Sequence, residues 1–175
     1  TYTVTDANGC SASVSATINV NAGTTATITA SGATTFCAGG SVTLTANAGS
    51  TYLWSNGAQT QSITVDVDGS YYVTVTNASG CSATSAAEAV TVNAAPVVAA
   101  ITGATNICTG STTQLASATT GGVWTSSDAT VATISTTGVV TGLTAGTATM
   151  TYTVTDANGC SASVSATINV NAGTT

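Results

Sequence analysis

Residues 151–175 read TYTVTDANGCSASVSATINVNAGTT, and residues 1–25 read the same, letter for letter. Self-similarity at a fixed period is the mark of a repeat protein. The copies start 150 residues apart, so the chain is expected to be a window on a longer array with a 150-residue unit. Simple duplication of one segment is the alternative. The stretch also declares its local structure. Apolar residues alternate with Thr, Ser or Asn through TYTVT and ATINVN, and Asn158-Gly159 lies between the two runs. Period-two alternation is the pattern of a half-buried antiparallel strand. Asn-Gly between such runs signals a hairpin.

The same grammar extends through the rest of the chain. Val42 and Leu44 share a face, as do Ile63 and Val65. Tyr71, Val73 and Val75 form another set, matched by Met150, Tyr152 and Val154. Asn56-Gly57 and Asp68-Gly69 are further turn signals. No segment carries a 3.6-residue period. Short strands spaced by turns predict an all-β chain of β-sandwich domains.

Landmarks recur in a fixed order. Phe36-Cys37-Ala-Gly, Trp54 and Gly80-Cys81-Ser-Ala mark one segment; Ile107-Cys108-Thr-Gly, Trp124 and Gly159-Cys160-Ser-Ala mark the other. The cysteine-to-tryptophan spacing is 17 residues in the first and 16 in the second. This predicts tandem homologous domains at 26–93 and 97–175, with 1–25 the closing strands of a preceding one. Asn93-Ala-Ala-Pro96 and the run from Asn171 to Thr175 read as short joints, which favour an extended rod.

Composition excludes several functions. The chain has no Lys, Arg or His, and six acidic residues give it a net charge of −6. Nucleic-acid binding draws its affinity from cations that displace counterions, and there are none. Membrane insertion is not expected, because no apolar run approaches the ~20 residues of a span. The absence of an initiator Met and of a leader suits an internal or mature piece. Without His or Lys, a Ser, Thr or Cys nucleophile lacks its ordinary base. The chain is therefore expected not to be an enzyme and to need no cofactor.

Five cysteines, Cys10, Cys37, Cys81, Cys108 and Cys160, are widely spaced without a CxxC or a histidine. Disulfides in an oxidising, extracellular setting fit better than zinc. Homologous positions suggest one staple per domain, Cys37–Cys81 and Cys108–Cys160, each worth about 3–4 kcal/mol in the chain-entropy model. Cys10 then needs a partner upstream or in a neighbouring chain. Trp54 and Trp124 are the expected large core residues, joined by Tyr71, Val73, Val75, Met150, Tyr152 and Val154.

Residues 123–155, VWTSSDATVATISTTGVVTGLTAGTATMTYTVT, resemble a group 2 bacterial Ig-like domain of the kind found in intimin- and invasin-type stalks. The W-x-S-S-D-x-x-V-A-x-I, G-V-V-T-G-L and A-G-T-A-T elements carry the likeness. Residues 36–83 resemble the Ig/PKD-like repeats of very large secreted proteins of Bacteroidota-type bacteria. These resemblances imply Ig-like sandwiches, a secreted or cell-surface address, and a fibre, adhesion or stalk role.

Four further features invite a site. Asp66-x-Asp68-Gly69 and Asp156-x-Asn158-Gly159 each carry two oxygen ligands of a calcium loop, but calcium takes six to eight oxygens, and tight turns explain both motifs. Asn77-Ala78-Ser79 has the form of a glycosylation sequon, with chance as the plain alternative. Thr147, Thr149 and Thr151 form a stripe that an ice- or carbohydrate-binding module would use. The strands are nearly uncharged, and edges without Lys or Pro invite pairing with other chains. The leading expectation is a filament or sheath repeat that associates with copies of itself. The alternatives are the stalk of an adhesin whose tip lies elsewhere, and a carbohydrate- or ice-binding module.

Overall fold

Alternating Thr and Val leave the backbone little option but extended chain, and the computed structural model, which describes residues 1–173, contains only strands, turns and loops. In chain order the strands are β1 Tyr2–Thr5, β2 Ser11–Val14, β3 Ile28–Ala30, β4 Thr35–Cys37, β5 Val42–Ala46, β6 Thr51–Trp54, β7 Ser62–Val65, β8 Gly69–Tyr71 and β9 Val73–Thr76. They continue with β10 Ser82–Thr84, β11 Glu88–Asn93, β12 Asn106–Cys108, β13 Thr112–Gln114, β14 Val123–Ser126, β15 Ala132–Ile134, β16 Val139–Gly142, β17 Gly146–Thr155 and β18 Ser161–Asn171. Tertiary contacts divide the chain into two units. The expected joint at 171–175 extends beyond the described residues.

The first unit gathers residues 1–32, 42–65 and 69–90. It holds two three-stranded antiparallel sheets, ordered β3-β5-β7 and β10-β9-β6. Every second residue of β5, β7 and β9 is buried: Val42, Leu44, Ala46, Ile63, Val65, Val73 and Val75. Trp54 closes this set at the end of β6, and its indole N–H donates to the Thr60 carbonyl at 2.8 Å. The intervening hydroxyls pair across strands, Thr43 with Thr64 at 3.2 Å and Thr45 with Ser62 at 3.0 Å. The run 71–77 is not one strand. It breaks at Tyr72, with β8 pairing β11 and β9 pairing β6 and β10. Tyr71 is accordingly half-buried, while Val73 and Val75 are fully buried.

The second unit gathers residues 33–41, 66–68 and the chain from Thr91 on. It is a two-layer sandwich. One layer is ordered β12-β18-β17-β14, the other β13-β16-β15. The first layer sends Ile107, Ala148, Met150, Ile168 and Val170 inward; the second sends Ala132 and Val140, with Leu115 just beyond β13. Trp124 is partly buried against this cluster, its ring 4.6 Å from that of Tyr152. Residues 33–41 join this unit because β4 runs parallel to the second half of β11, Thr35 to Cys37 opposite Thr91 to Asn93.

Candidate functional site: cysteine frames and a duplicated hairpin

Each cysteine sits in one of two local frames. In the first frame a short strand ends on a cysteine and runs parallel to a later strand. Cys37 is registered with Asn93 and Cys108 with Asn171. The residue after each cysteine donates its N–H to that asparagine carbonyl, Ala38 to Asn93 at 2.8 Å and Thr109 to Asn171 at 3.0 Å. In the second frame the cysteine closes a hairpin turn. The Asp156 carboxylate accepts the N–H groups of Asn158 and Cys160, both at 2.9 Å. Asp6 does the same for Asn8 and Cys10, and the Asn77 side-chain oxygen for Ser79 and Cys81. Gly159 takes φ +80°, a left-handed value that costs glycine nothing.

The disulfide corrects the expected pairing. Cys37 bonds Cys160, with Cα atoms 5.5 Å apart and a sequence separation of 123. Both belong to the second unit. Cys81 and Cys108, expected to bond Cys37 and Cys160, are outside any disulfide, as is Cys10. Register explains why. Cys160 precedes β18, whose 11 residues run to Asn171, and Asn171 is opposite Cys108. Eleven residues of strand span roughly 36 Å at ~3.3 Å each, whereas a disulfide holds Cα atoms within about 7 Å. Cys108 and Cys160 therefore stand at opposite ends of one strand. Cys37 is likewise registered with Asn93, at the end of β11, while Cys81 precedes β10.

The duplicated 25 residues give a second observation. Both copies form the same hairpin in the same register, Tyr2 opposite Val14 and Tyr152 opposite Val164. The environments differ completely. Tyr152 is 6% exposed and Ile168 is fully buried; Tyr2 is 69% exposed and Ile18 84%. Val4 and Val20 are also exposed where Val154 and Val170 are buried. Paired with β1 alone, the copy of β18 shrinks from 11 residues to the four of β2. Burying a Val or Ile side chain stabilises by about 1.5–3 kcal/mol, which the second copy gains and the first does not. Amide exchange checks the contrast cleanly, because the two segments have the same sequence. By NMR, residues 15–21 are expected to exchange at nearly the free-chain rate, and residues 165–171 to be strongly protected.

The other expected sites resolve into structural roles. Asp156 is the turn acceptor just described, and Asn158 contributes its backbone N–H. The Asp68 carboxylate accepts the Val92 N–H. Asp66 shares the Asp68 loop. Among the described residues no three of Cys, Asp and Glu cluster as metal ligands would. The Asn77 amide is engaged at both ends, its nitrogen donating to the Ala22 carbonyl at 3.1 Å. A glycan on that nitrogen would compete with this bond. Thr147, Thr149 and Thr151 lie opposite Asn169, Thr167 and Ser165 on the polar side of β17 and β18.

One carboxylate is electrostatically distinct. Asp128 accepts from the Thr130 hydroxyl at 2.6 Å and the Thr130 N–H at 2.9 Å. The hydroxyl bond, then the backbone N–H groups, hold its pKa below the ordinary 3.8. Its contribution to stability is therefore complete above that value and lost as pH falls through the lowered one. A carbon-13 titration should place the Asp128 midpoint below the ordinary aspartate value, and Thr130→Ala should move it back up.

Sequence reasoning missed the clamp around Tyr152. Its hydroxyl accepts the Gly122 N–H at 2.8 Å and donates to the Thr119 carbonyl at 3.0 Å. A Cβ on Gly122 would lie 2.4 Å from the Tyr152 ring. The Gly121-Gly122 pair just before Trp124 was the available signal. The clamp, Trp124 and Gln114 line a shallow polar cleft of about 320 Å³. Strand edges complete the inventory. Among the described strands the only charged residue is Glu88, in β11, which has a strand on either side. Among the described residues the edge strands therefore carry no charged side chain.

Comparison with known proteins gives a family-model match over part of the chain and a set of distant structures. No curated protein matches the chain. It resembles a structure described as a calcium-stabilised adhesin that helps an Antarctic bacterium reach out and bind ice, at 19% identity and TM-score 0.48, covering 99% of this chain and 56% of that one. A second is from a 1.5-MDa bacterial ice-binding adhesin, at 17% identity and TM-score 0.44, covering 98% of this chain and 73% of the other. A third is the 282-residue C-terminal fragment of intimin in complex with the intimin-binding domain of its translocated receptor, at 16% identity and TM-score 0.41, covering 83% and 64%. This chain thus spans about half the length of the first. Residues 86–161, which include β11 to β17 and the Cys160 turn, match the family model of the bacterial Ig-like domain (group 2).

Proposed function

We propose that this chain is a structural repeat of an extracellular bacterial filament or sheath, built from tandem Ig-like domains that associate with further copies of themselves. The observation that carries the reading is the exact recurrence of residues 1–25 at 151–175, folded as the same hairpin in the same register in both places. Uncharged sheet edges support it, because nothing on them opposes pairing with another copy. The absence of cations supports it too: cohesion would rest on apolar packing and backbone hydrogen bonds, which salt does not screen. Negative-stain electron microscopy of the native protein tests the reading. Ordered multi-strand fibres that persist in molar salt are the expected result. Isolated single-chain rods would sink it.

The second reading is the stalk of a surface adhesin. The group 2 Ig-like match over residues 86–161 favours it. Under it the rods stay single and binding belongs to another part of the protein, so the same micrographs separate the two.

A further inference from the structure

Two cysteines share the strand-end frame and three the turn frame, and one of each is bonded. Cys37 and Cys108 share the strand-end frame; Cys81 and Cys160 share the turn frame. The one disulfide joins a strand-end cysteine of the first segment to a turn cysteine of the second, 123 residues later. In the bonded pair, the Asn93 carbonyl that receives the Ala38 N–H lies 3.9 Å from the Cys160 sulfur. Around Cys108 the same place is taken by Asn171, whose carbonyl receives the Thr109 N–H. The Cys108 frame is thus built like the bonded one and lacks only a turn cysteine. Cys160 stands at the far end of β18 and cannot fill it. Cys108 is exposed and Cys81 half-buried.

Spacing names the missing partner. With a 150-residue unit, Cys81 of the following copy lies 123 residues after Cys108. This is the separation of Cys37 and Cys160. We propose that Cys108 forms a disulfide with Cys81 of the next copy of the repeat, and that Cys10 bonds Cys37 of the preceding copy. Each strand-end cysteine then bonds the turn cysteine 123 residues downstream, and none of the five is left over. The inference rests on the tandem-repeat reading above. The bond forms by oxidation of two thiols. Both sulfurs lose a proton, one Sγ–Sγ bond forms, and the two electrons reduce a disulfide oxidant of the glutathione class to two thiols. Such an array would be stapled once per domain, with every staple connecting consecutive segments.

The test is a chain of two repeats, residues 1–150 followed by residues 1–175, folded with oxidised and reduced glutathione. Free thiols are alkylated before reduction, and the chain is then cleaved before its aspartates. Cys81 and Cys108 fall in the same fragment, residues 68–127, so the proposed bond turns the two copies of that fragment into a covalent dimer. The expected result is a monomeric chain with three alkylated thiols and that fragment dimer. Cys81→Ser in the second copy should abolish the dimer, and the same change in the first copy should leave it. The fragment linkage between Cys37 and Cys160 serves as proof of folding in each case. Five alkylated thiols with both Cys37–Cys160 bonds formed would overturn the linkage, as would a dimer removed by the first-copy variant. The micrographs read association between chains and the thiol count reads bonding within one, so the two proposals fail separately.

Discussion

Replacing Cys160 with serine is expected to lower the stability of the second unit by about 4–5 kcal/mol, the chain-entropy value for a closed loop of more than a hundred residues. The loop it opens is 123 residues long. Cys160 is also buried in the turn, so the variant leaves a hydroxyl where a bonded sulfur packed. Denaturant unfolding followed by far-UV circular dichroism reads the loss as a fall in the midpoint. Dithiothreitol on the unaltered chain should reproduce most of it. Molar salt should not, because the chain has no Lys, Arg or His to pair with its carboxylates. A midpoint that moves with salt and ignores reductant would contradict the account of how this unit is held.

The second large effect falls in the first unit. Trp54 is 2% exposed among Val, Leu and Ile side chains, and its indole N–H bonds the Thr60 carbonyl. Trp54→Ala removes the bulkiest buried side chain there and leaves a cavity between short strands. Changes of this kind cost about 3–5 kcal/mol. Trp54→Phe keeps much of the volume and strands the Thr60 carbonyl, for about 1–3 kcal/mol. Its midpoint should therefore fall between the wild type and the alanine variant. Equal loss in the two variants would mean that the hydrogen bond, rather than the packing, decides this position.

How far the sequence discloses the structure depends on the range of the interaction. Alternation is written in neighbouring residues, so β5, β7, β9, β17 and β18 are legible where they occur. So is the turn at Asn158-Gly159, which forms in both copies whatever surrounds it. The all-β class and the sandwich follow from these local signals. Tyr71 shows the first limit. Its alternation with Val73 and Val75 is real, yet the chain breaks at Tyr72 and passes to another sheet, because β8 finds its partner in Glu88–Val90. The disulfide shows the second. Cysteines at homologous positions look like partners until it is known that β12 runs parallel to β18 and that register sets Cys108 beside Asn171. Strand direction across 63 residues is a tertiary fact, and no local pattern encodes it. Trp124 falls between these cases. Its place beside the core is legible, but its partial exposure is set by the Tyr152 clamp.

The position of β18 in its sheet has a consequence for the order of events during synthesis. It is the last strand among the described residues, yet it lies inside the layer, between β12 and β17. A chain made from its N-terminus therefore leaves β12 and β14 without their sheet partners until β17 and β18 have emerged. Those edges are open to wrong neighbours throughout that interval, as non-local β pairings generally are. The Asp156 turn shortens the wait. The hairpin can form from its own residues as soon as they emerge, as the solvent-exposed copy at residues 2–14 does. The sandwich is then closed by the arrival of one prefolded piece rather than by two strands finding their places separately.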